Sequence, residues 1–459
     1  MDKLKNKKFA LIFGQSIEGC GVTRTGSEMW YWCKKNNIDF TIYSYDERIY
    51  NRRNAHEMDF KSFTMENIEE TLNELNQYDV VMFNSYPSNK FSKESIMSFY
   101  NDLVKKITTI KVGFMHELNK TNIDKVPYLI GIMNEMDLIY NFGEETWFSQ
   151  TISKVLPSKK VGERVKKFTM WFNFDQLEKY RNKPLYEKEK KLLYIGRWTT
   201  MKDPRRVLDL GPGLKEKGIV AELIGIERSI GAKFDIFEHP NCIDRTGKEE
   251  KYISPNACVP VYGTYIRNEG METLSNSLFG CSFYRLPKEP EAYGDRMEYT
   301  MIEIIATGCI PVFDEHWAKH NFRKNGISYY DTPFSGIYSN KEDLESTIDT
   351  LYAVSLDEDL QKKYFETSYQ IVKEEFDANV VLPEMFSYML SIGKDNDKFK
   401  SDEDLIKNVV KPSNTDEFLK LYNEYKDNEI VVLGIRELYT NNIFCILDGK
   451  KEKEIQKFK

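Results

Sequence analysis

Three short stretches hold residue types whose spacing could do chemistry on a phosphate-bearing ligand. In Tyr194-Ile-Gly-Arg-Trp-Thr-Thr-Met-Lys202, Arg197 and Lys202 stand five residues apart across a turn, just before Pro204 opens a helix. Both heads can converge on one diphosphate, Arg through its fork of donors and Lys as a point charge. The bland alternative is two solvated cations flanking a loop. In the run from Arg296 to Phe313, a helix ends at Gly308 and passes straight into a strand. Glu303 sits there inside the apolar run Met301-Ile302-Glu303-Ile304-Ile305, where a carboxylate needs a partner or a ligand, and two sugar hydroxyls such as a ribose diol would suit it. Glu298 lies about 140° away around a helix, so both acids reach one cleft only if the helix starts between them. The third stretch is Glu18-Gly-Cys-Gly-Val-Thr23, shortly after the first strand. Its glycines let backbone amides approach a phosphate and the next helix adds a positive end, although an ordinary tight turn reads the same way. His316 and His320 are four apart without an HExxH frame and read as structural.

The elements that must position these residues alternate between short apolar runs and amphipathic stretches. Phe9–Phe13, Phe40–Tyr43, Asp79–Phe83, Ile110–Phe114 and Asp137–Tyr140 read as strands, with helices expected over Ser27–Lys35 and Lys93–Lys106. Continuous apolar strands separated by helices imply a parallel sheet covered on both faces, a doubly wound α/β domain. The pattern lapses over 157–191, a basic and polar stretch that reads as the interdomain connection. A second series follows: strands Leu192–Ile195, Val220–Ile224, Leu278–Phe283 and Ile310–Phe313, with helices over Pro204–Lys217, Met297–Thr307, Lys341–Ser355 and Asp357–Glu375. Two Rossmann-like units, 1–170 and 171–390, are therefore expected to face each other across a cleft. Residues 391–459, with a helical stretch at Ser413–Tyr425 and strands at Glu429–Leu433 and Asn442–Leu447, read as a small appendage of unknown role.

Composition narrows the function classes. Two or three domains fit in 459 residues, and no run approaches the roughly 18 apolar residues of a membrane span. The basic start and six-residue apolar run Phe9–Gly14 read as a first strand and not as a signal peptide. Seven scattered cysteines without a CxxC pair indicate neither a disulfide framework nor a zinc knuckle, so an intracellular protein is expected. With 65 Lys and Arg against 72 Asp and Glu, the net charge is −7, and any polyanion-binding surface must be local. Pro157 to Arg206 is such a segment: 15 basic minus 6 acidic residues gives +9, unless it is simply a solvated face.

Two Rossmann units, Arg-x4-Lys after a strand of the second, and an acidic helix ending in Ala-Thr-Gly-Cys-Ile-Pro-Val-Phe313 resemble retaining GT-B glycosyltransferases. More sharply, Glu18–Thr23, Ile195–Lys202, Gly225-Ile-Glu-Arg-Ser229, Leu278-Phe-Gly280, Glu298–Glu303 and Gly308–Phe313 resemble, in order, the bacteriophage DNA α-glucosyltransferase family, over residues 8 to 390. The resemblance implies transfer of glucose from UDP-glucose to 5-hydroxymethylcytosine in duplex DNA with retention, a hypermodification that protects phage DNA from restriction. On this chain, Arg197 and Lys202 would hold the diphosphate and stabilise departing UDP. Glu303 would hold the ribose, and Glu298, Tyr299 and Thr300 would line the sugar or phosphate. Gly19, Cys20, Gly21 and Val22 would bring backbone amides to the cleft, and Gly225 to Ser229, with Glu227 and Arg228, would form a second loop over the donor.

His116-Glu117 resembles the family's His-Asp pair, with Glu in place of Asp. A group there would contact the reacting sugar or take the acceptor proton. Lys159, Lys160, Arg164, Lys166 and Lys167, with Arg52 and Arg53, would track DNA phosphates. Tight enclosure of the target base would require it to flip out of the duplex. No DxD-like pair adjoins a strand end in the donor domain, so no essential metal is expected. A monomer acting in the host-cell cytoplasm during infection completes the expectation. The rivals keep the fold with another donor such as UDP-arabinose or another modified pyrimidine, move the acceptor to a carbohydrate or lipid, or leave an inactive DNA-binding protein.

Overall fold

The computed structural model describes residues 2–13, 21–44, 58–64, 66–84, 103–116, 135–141, 165–167, 170–198, 202–227, 236–263, 267–283, 298–314, 322–324, 327–329 and 336–394. Two sheets dominate. The first contains β1 (Lys8–Phe13), β2 (Asp39–Ser44), β3 (Phe60–Ser62), β4 (Val80–Asn84), β5 (Ile110–Met115), β6 (Leu138–Asn141) and β7 (Val165–Lys167), in the order β3-β2-β1-β4-β5-β6-β7. Every pairing in it is parallel. The second contains β8 (Glu189–Trp198), β9 (Val220–Glu227), β10 (Cys242–Asp244), β11 (Lys251–Tyr252), β12 (Val259–Tyr262), β13 (Ser277–Ser282) and β14 (Ile310–Asp314). A two-stranded β15 (Phe322–Lys324) and β16 (Ile327–Tyr329) stands apart, and β17 (Ile337–Ser339) completes the order β11-β10-β12-β9-β8-β13-β14-β17. All of its pairings are parallel except β10 with β11.

Both sheets carry the doubly wound 3-2-1-4-5-6 order, with the order of strand addition reversing between β1 and β4 in one and between β8 and β13 in the other. Ligands in such sheets bind beyond the carboxyl ends of the strands at that switch point. The strands form where apolar runs can be buried on both faces: Phe9 to Phe13 are each at most 1% exposed.

The helices used below are α1 (Asp2–Lys5), α2 (Gly21–Lys35), α3 (Ile68–Leu75), α4 (Arg205–Glu216), α5 (Arg267–Asn276), α6 (Tyr299–Ala306), α7 (Leu344–Leu356), α8 (Glu358–Phe376) and α9 (Ala378–Ile392). Helix α2 begins six residues before the expected Ser27. Its first turns are held by packing more than by propensity: Gly26 lies so close to β1 that a Cβ there would sit 2.3 Å from the Phe13 ring. The short strands β3, β7 and β10–β12 lack the long apolar runs that reveal a strand in sequence.

The basic stretch after residue 157 is more than a connection. Its strand β7 extends the first sheet, and Met170, Trp171, Phe172 and Phe174 are buried between the units. Phe172 N donates to Phe376 O at 2.7 Å and Ala378 N donates to Phe172 O at 2.9 Å, so both crossings of the chain run side by side. After the second crossing, α9 returns to the first sheet, where the Phe386 ring meets Phe9 at 4.5 Å and Trp32 at 5.9 Å. The tail expected from 391 lies outside the described residues beyond 394.

Candidate active site

On the second unit, β8 runs to Trp198, so Arg197 belongs to the strand, and Lys202 follows where the chain turns into α4. Lys202 Nζ donates to Glu298 Oε2 in a half-buried ion pair. Glu298 occupies the residue before α6 in extended backbone, so the helix does start between Glu298 and Glu303. Tyr194 Oη donates to the Lys202 carbonyl at 3.3 Å. Asp203, at φ 27°, takes a conformation L-residues seldom adopt. Arg206 holds it there, donating from Nε and Nη2 to its carboxylate at 3.2 and 3.0 Å. Arg206 is in turn tied to Asp314 at 2.6 Å and to the Ser339 carbonyl at 3.1 Å, at the ends of two strands. Asp203, next to Lys202, is thus pinned to the sheet.

The other end of α6 is equally tied down. Gly308 has φ 83°, the left-handed conformation that closes a helix. Arg181 donates to the carbonyls of Ile305 at 3.2 Å and Phe365 at 2.9 Å, and lies 3.7 and 3.8 Å from the Phe365 and Tyr369 ring centroids. Burial lowers its pKa to about 10, while the carbonyl end of the helix favours its charge.

On the first unit, Gly21 and Val22 form the start of α2, beyond the carboxyl end of β1. A Cβ at Gly21 would meet nothing within 4 Å among the described residues. Asn84 ends β4 beside β1, is 1% exposed, and donates from Nδ2 to the Val22 carbonyl at 2.8 Å. His116, just after β5, places Nε2 2.7 Å from Asn84 Oδ1.

The two halves meet through a buried ion cluster. Arg24 Nη2 lies 2.6 Å from Glu28 Oε1 and 3.0 Å from Glu303 Oε1, with Arg24 and Glu28 side chains 8% and 0% exposed. Its guanidinium stands 5.7 Å from the Phe172 ring centroid and 5.5 Å from that of Tyr299. Asn173 donates to Glu28 Oε2 from its backbone N at 3.0 Å and from Nδ2 at 2.6 Å, and Trp171 Nε1 donates to the Thr25 carbonyl at 3.0 Å. Burial weighs against a charged Arg24, but Glu28 and then Glu303 outweigh it, so its pKa lies above the ordinary guanidinium value. Burial, then Glu28, push the Tyr299 phenol well above its usual range. Arg24 is the fourth residue of α2 and Tyr299 the first of α6, so the positive ends of two helices lie against one another. Such an arrangement attracts an anion.

The expected residues divide accordingly. Lys202 and Glu298 are brought together, and Glu303 meets the partner its burial demanded, which is Arg24. Burial alone therefore no longer calls for a ligand at Glu303. The Tyr299 hydroxyl is buried in the seam, and Thr300 is half-buried in the first turn of α6. Gly225 to Glu227 still belong to β9 and not to a loop: Gly225 is the register partner of Gly196, and a Cβ on it would sit 2.0 Å from that carbonyl oxygen. Lys166 Nζ lies 5.1 Å from the Tyr388 ring centroid, and Lys167 is in β7. Gly19, Cys20, Arg52, Arg53, Glu117, Lys159, Lys160, Arg164, Arg228, Ser229, His316 and His320 lie outside the described residues, as do the side chains of Lys167, Arg197 and Glu227. Sequence reasoning missed Arg24, Asn84 and Arg206. Asn84 carried a signal, being a polar residue that ends an apolar run at a strand's carboxyl end.

Comparison with known proteins fits this geometry. The family model for DNA alpha-glucosyltransferase matches residues 20–359, well over half of the chain. The chain belongs to the DNA alpha-glucosyltransferase family. It is accordingly a glycosyltransferase. A DNA alpha-glucosyltransferase of Enterobacteria phage T4 is 25% identical over 404 residues, covering 83% of this chain and 98% of the relative. An alpha-glucosyltransferase solved with UDP and a 13-mer DNA superposes with a TM-score of 0.68 at 22% identity, covering 83% of this chain and 99% of its own. A protein of Anabaena, HepE, solved with UDP and glucose, matches at 0.53 and 11% identity over 84% of this chain and all of its own. These likenesses establish the GT-B architecture of two facing Rossmann units. No described helix is long and apolar enough to cross a membrane, and the described residues hold no group of three or more His, Cys, Asp or Glu placed to bind a metal ion.

Proposed function

We propose that this chain transfers glucose from UDP-glucose to the hydroxymethyl oxygen of 5-hydroxymethylcytosine in duplex DNA, with retention at the anomeric carbon. The observation that carries the reading is the meeting of the first turns of α2 and α6, with Lys202 and Glu298 on one side and His116 on the other, in a member of this family. Relatives solved with UDP-glucose and abasic-site DNA, and with UDP and DNA containing an HMU base, support a UDP-sugar donor and a DNA acceptor.

The bond from the anomeric carbon to the diphosphate oxygen breaks with its electron pair going to UDP, the acceptor oxygen bonds to that carbon, and the hydroxymethyl proton leaves. Charge therefore grows on the diphosphate. Lys202 and Arg197 with the start of α6, including the backbone amides of Tyr299 and Thr300, stabilise it without metal assistance. Gly19 and Cys20, with Gly21 and Val22 at the start of α2, add further amides. Glu298 orients Lys202 and meets sugar hydroxyls. Glu303, steadied by Arg24, holds the ribose. Glu227, Arg228 and Ser229 cover the donor. His116 with Glu117 receives a hydroxyl hydrogen at the reacting centre. Arg52, Arg53, Lys159, Lys160, Arg164, Lys166 and Lys167 contact DNA phosphates. The enzyme works as a monomer in the cytoplasm of the infected host.

The test is incubation of 5-hydroxymethylcytosine duplex DNA with a panel of UDP-sugars, followed by nucleoside mass spectrometry and NMR of the product anomer. A hexose-sized gain with UDP-glucose and an α linkage is expected. A gain of pentose size only with UDP-arabinose, or no gain with any donor, would overturn it.

A further inference from the structure

The His116 ring is held by a hydrogen-bond chain whose polarity follows from the atoms in it. The chain begins at the Val22 carbonyl in the first turn of α2, passes through the Asn84 side chain at the end of β4, and ends on His116 after β5. A carbonyl oxygen carries no hydrogen, so the Asn84 atom 2.8 Å from Val22 O must be the amide nitrogen. That leaves Asn84 Oδ1, which has lone pairs only, 2.7 Å from His116 Nε2. The ring nitrogen there must carry the hydrogen. With the amide turned over, oxygen would face oxygen at Val22, in a side chain that is 1% exposed and out of reach of compensating water.

We infer that Asn84 is a positioning residue that fixes His116 in the Nε2–H tautomer, so that Nδ1 is the basic nitrogen of the neutral ring. The identity of the group at residue 84 therefore decides which edge of the imidazole accepts a hydroxyl hydrogen from the sugar or the acceptor. The same amide ties the ring to the start of α2, the helix end that faces the diphosphate. Proton acceptor and anion-binding backbone are thereby held in one frame, across strands β1, β4 and β5 that are themselves in parallel register: Phe13 with Asn84, and Asn84 with Phe114. The inference rests on the proposed role of His116 only for its catalytic consequence; the hydrogen on Nε2 follows from the Val22 carbonyl and the Asn84 amide.

Long-range 1H–15N correlation of histidine-labelled protein reads the tautomer directly, and five histidines make the spectrum simple. The His116 signals are those lost in His116→Gln. His239 supplies an internal reference, because Asn241 N donates to its Nδ1 at 3.2 Å and its Nε2 meets Asp209 at 2.9 Å, which assigns it the same Nε2–H form. In the unsubstituted protein at neutral pH, His116 should show a protonated Nε2 and an unprotonated Nδ1. Asn84→Leu, which keeps the volume and removes both bonds, should shift His116 toward mixed tautomers while His239 stays unchanged. Glucosyl transfer by Asn84→Leu should fall about 10- to 100-fold in kcat.

A protonated Nδ1 in the unsubstituted protein overturns the inference, whatever Asn84→Leu does. An unmoved His116 tautomer in folded Asn84→Leu also overturns it. An Nε2–H ring that responds to Asn84→Leu in a protein lacking transfer to any DNA would uphold the tautomer assignment and refute the proposed function instead.

Discussion

Replacing Arg24 by Met tests whether the two Rossmann units are joined by an ion cluster as well as by apolar packing. The substitution keeps most of the side-chain volume, so the loss is of charge and hydrogen bonds. Glu28 and Glu303, at 2.6 and 3.0 Å from the guanidinium, would lose that partner with side chains only 0% and 12% exposed. Breaking one side of a buried pair costs about 3–5 kcal/mol. Glu28 retains Asn173 N, Asn173 Nδ2 and Gln176 Nε2 as donors at 3.0, 2.6 and 3.3 Å, which places the expected loss at about 3 kcal/mol, near the low end of that range. For a cooperative unit of 150–250 residues that corresponds to a fall in Tm of about 6–12 °C. Thermal and urea unfolding followed by circular dichroism and tryptophan fluorescence would read it, with Trp32 and Trp171 both buried near the seam. The decisive comparison is the triple variant Arg24→Met, Glu28→Gln, Glu303→Gln. It removes the uncompensated charges together and should recover more than half of the loss. A single variant within about 1 kcal/mol of the unsubstituted protein, or a triple variant no more stable than the single one, would refute an energetic role for the cluster.

Other substitutions probe the elements around the site. Lys202→Met should leave the unfolding midpoint within a degree or two and lower kcat by about 100- to 1,000-fold, as for loss of one donor to developing charge, measured by release of UDP. Gly308→Ala should destabilise by more than about 1 kcal/mol, because φ is 83° and the added Cβ would sit 2.9 Å from the Phe365 ring; urea denaturation reads this directly. Burial opposes ionisation of Asp79, but bonds from Lys7 Nζ at 2.6 Å and Lys8 N at 2.9 Å prevail and lower its pKa below the ordinary 3.8. A depressed carboxylate stabilises the fold above its unfolded pKa and ceases to do so as pH falls through the folded value. Asp79→Asn should therefore cost about 1 kcal/mol at pH 6, with the difference from the unsubstituted protein closing below pH 3.8 in a thermal-shift series.

Much of this protein was decided by its sequence alone. Runs such as Phe9–Phe13 and Ile310–Phe313 are too apolar to lie anywhere but between two helical layers, so strand positions and the doubly wound units follow from burial. The same holds for Lys202, Glu298 and Glu303, whose places relative to a turn and a helix start are local properties. Tertiary structure decided what those groups meet. Glu303 needed a partner, but only the folding of α2 against α6 made that partner Arg24, 279 residues away in the chain. The charged flanks of Trp171 and Phe172 hid their role as core between the units, and nothing local sends α9 back to the first sheet to place Phe386 against Phe9. Asn84 and His116 are ordinary polar residues until parallel pairing of β4 with β5 sets them side by side. An apolar run carries its own destination because burial is non-directional, whereas a polar side chain acquires a role from the particular donor or acceptor that folding brings within about 3 Å.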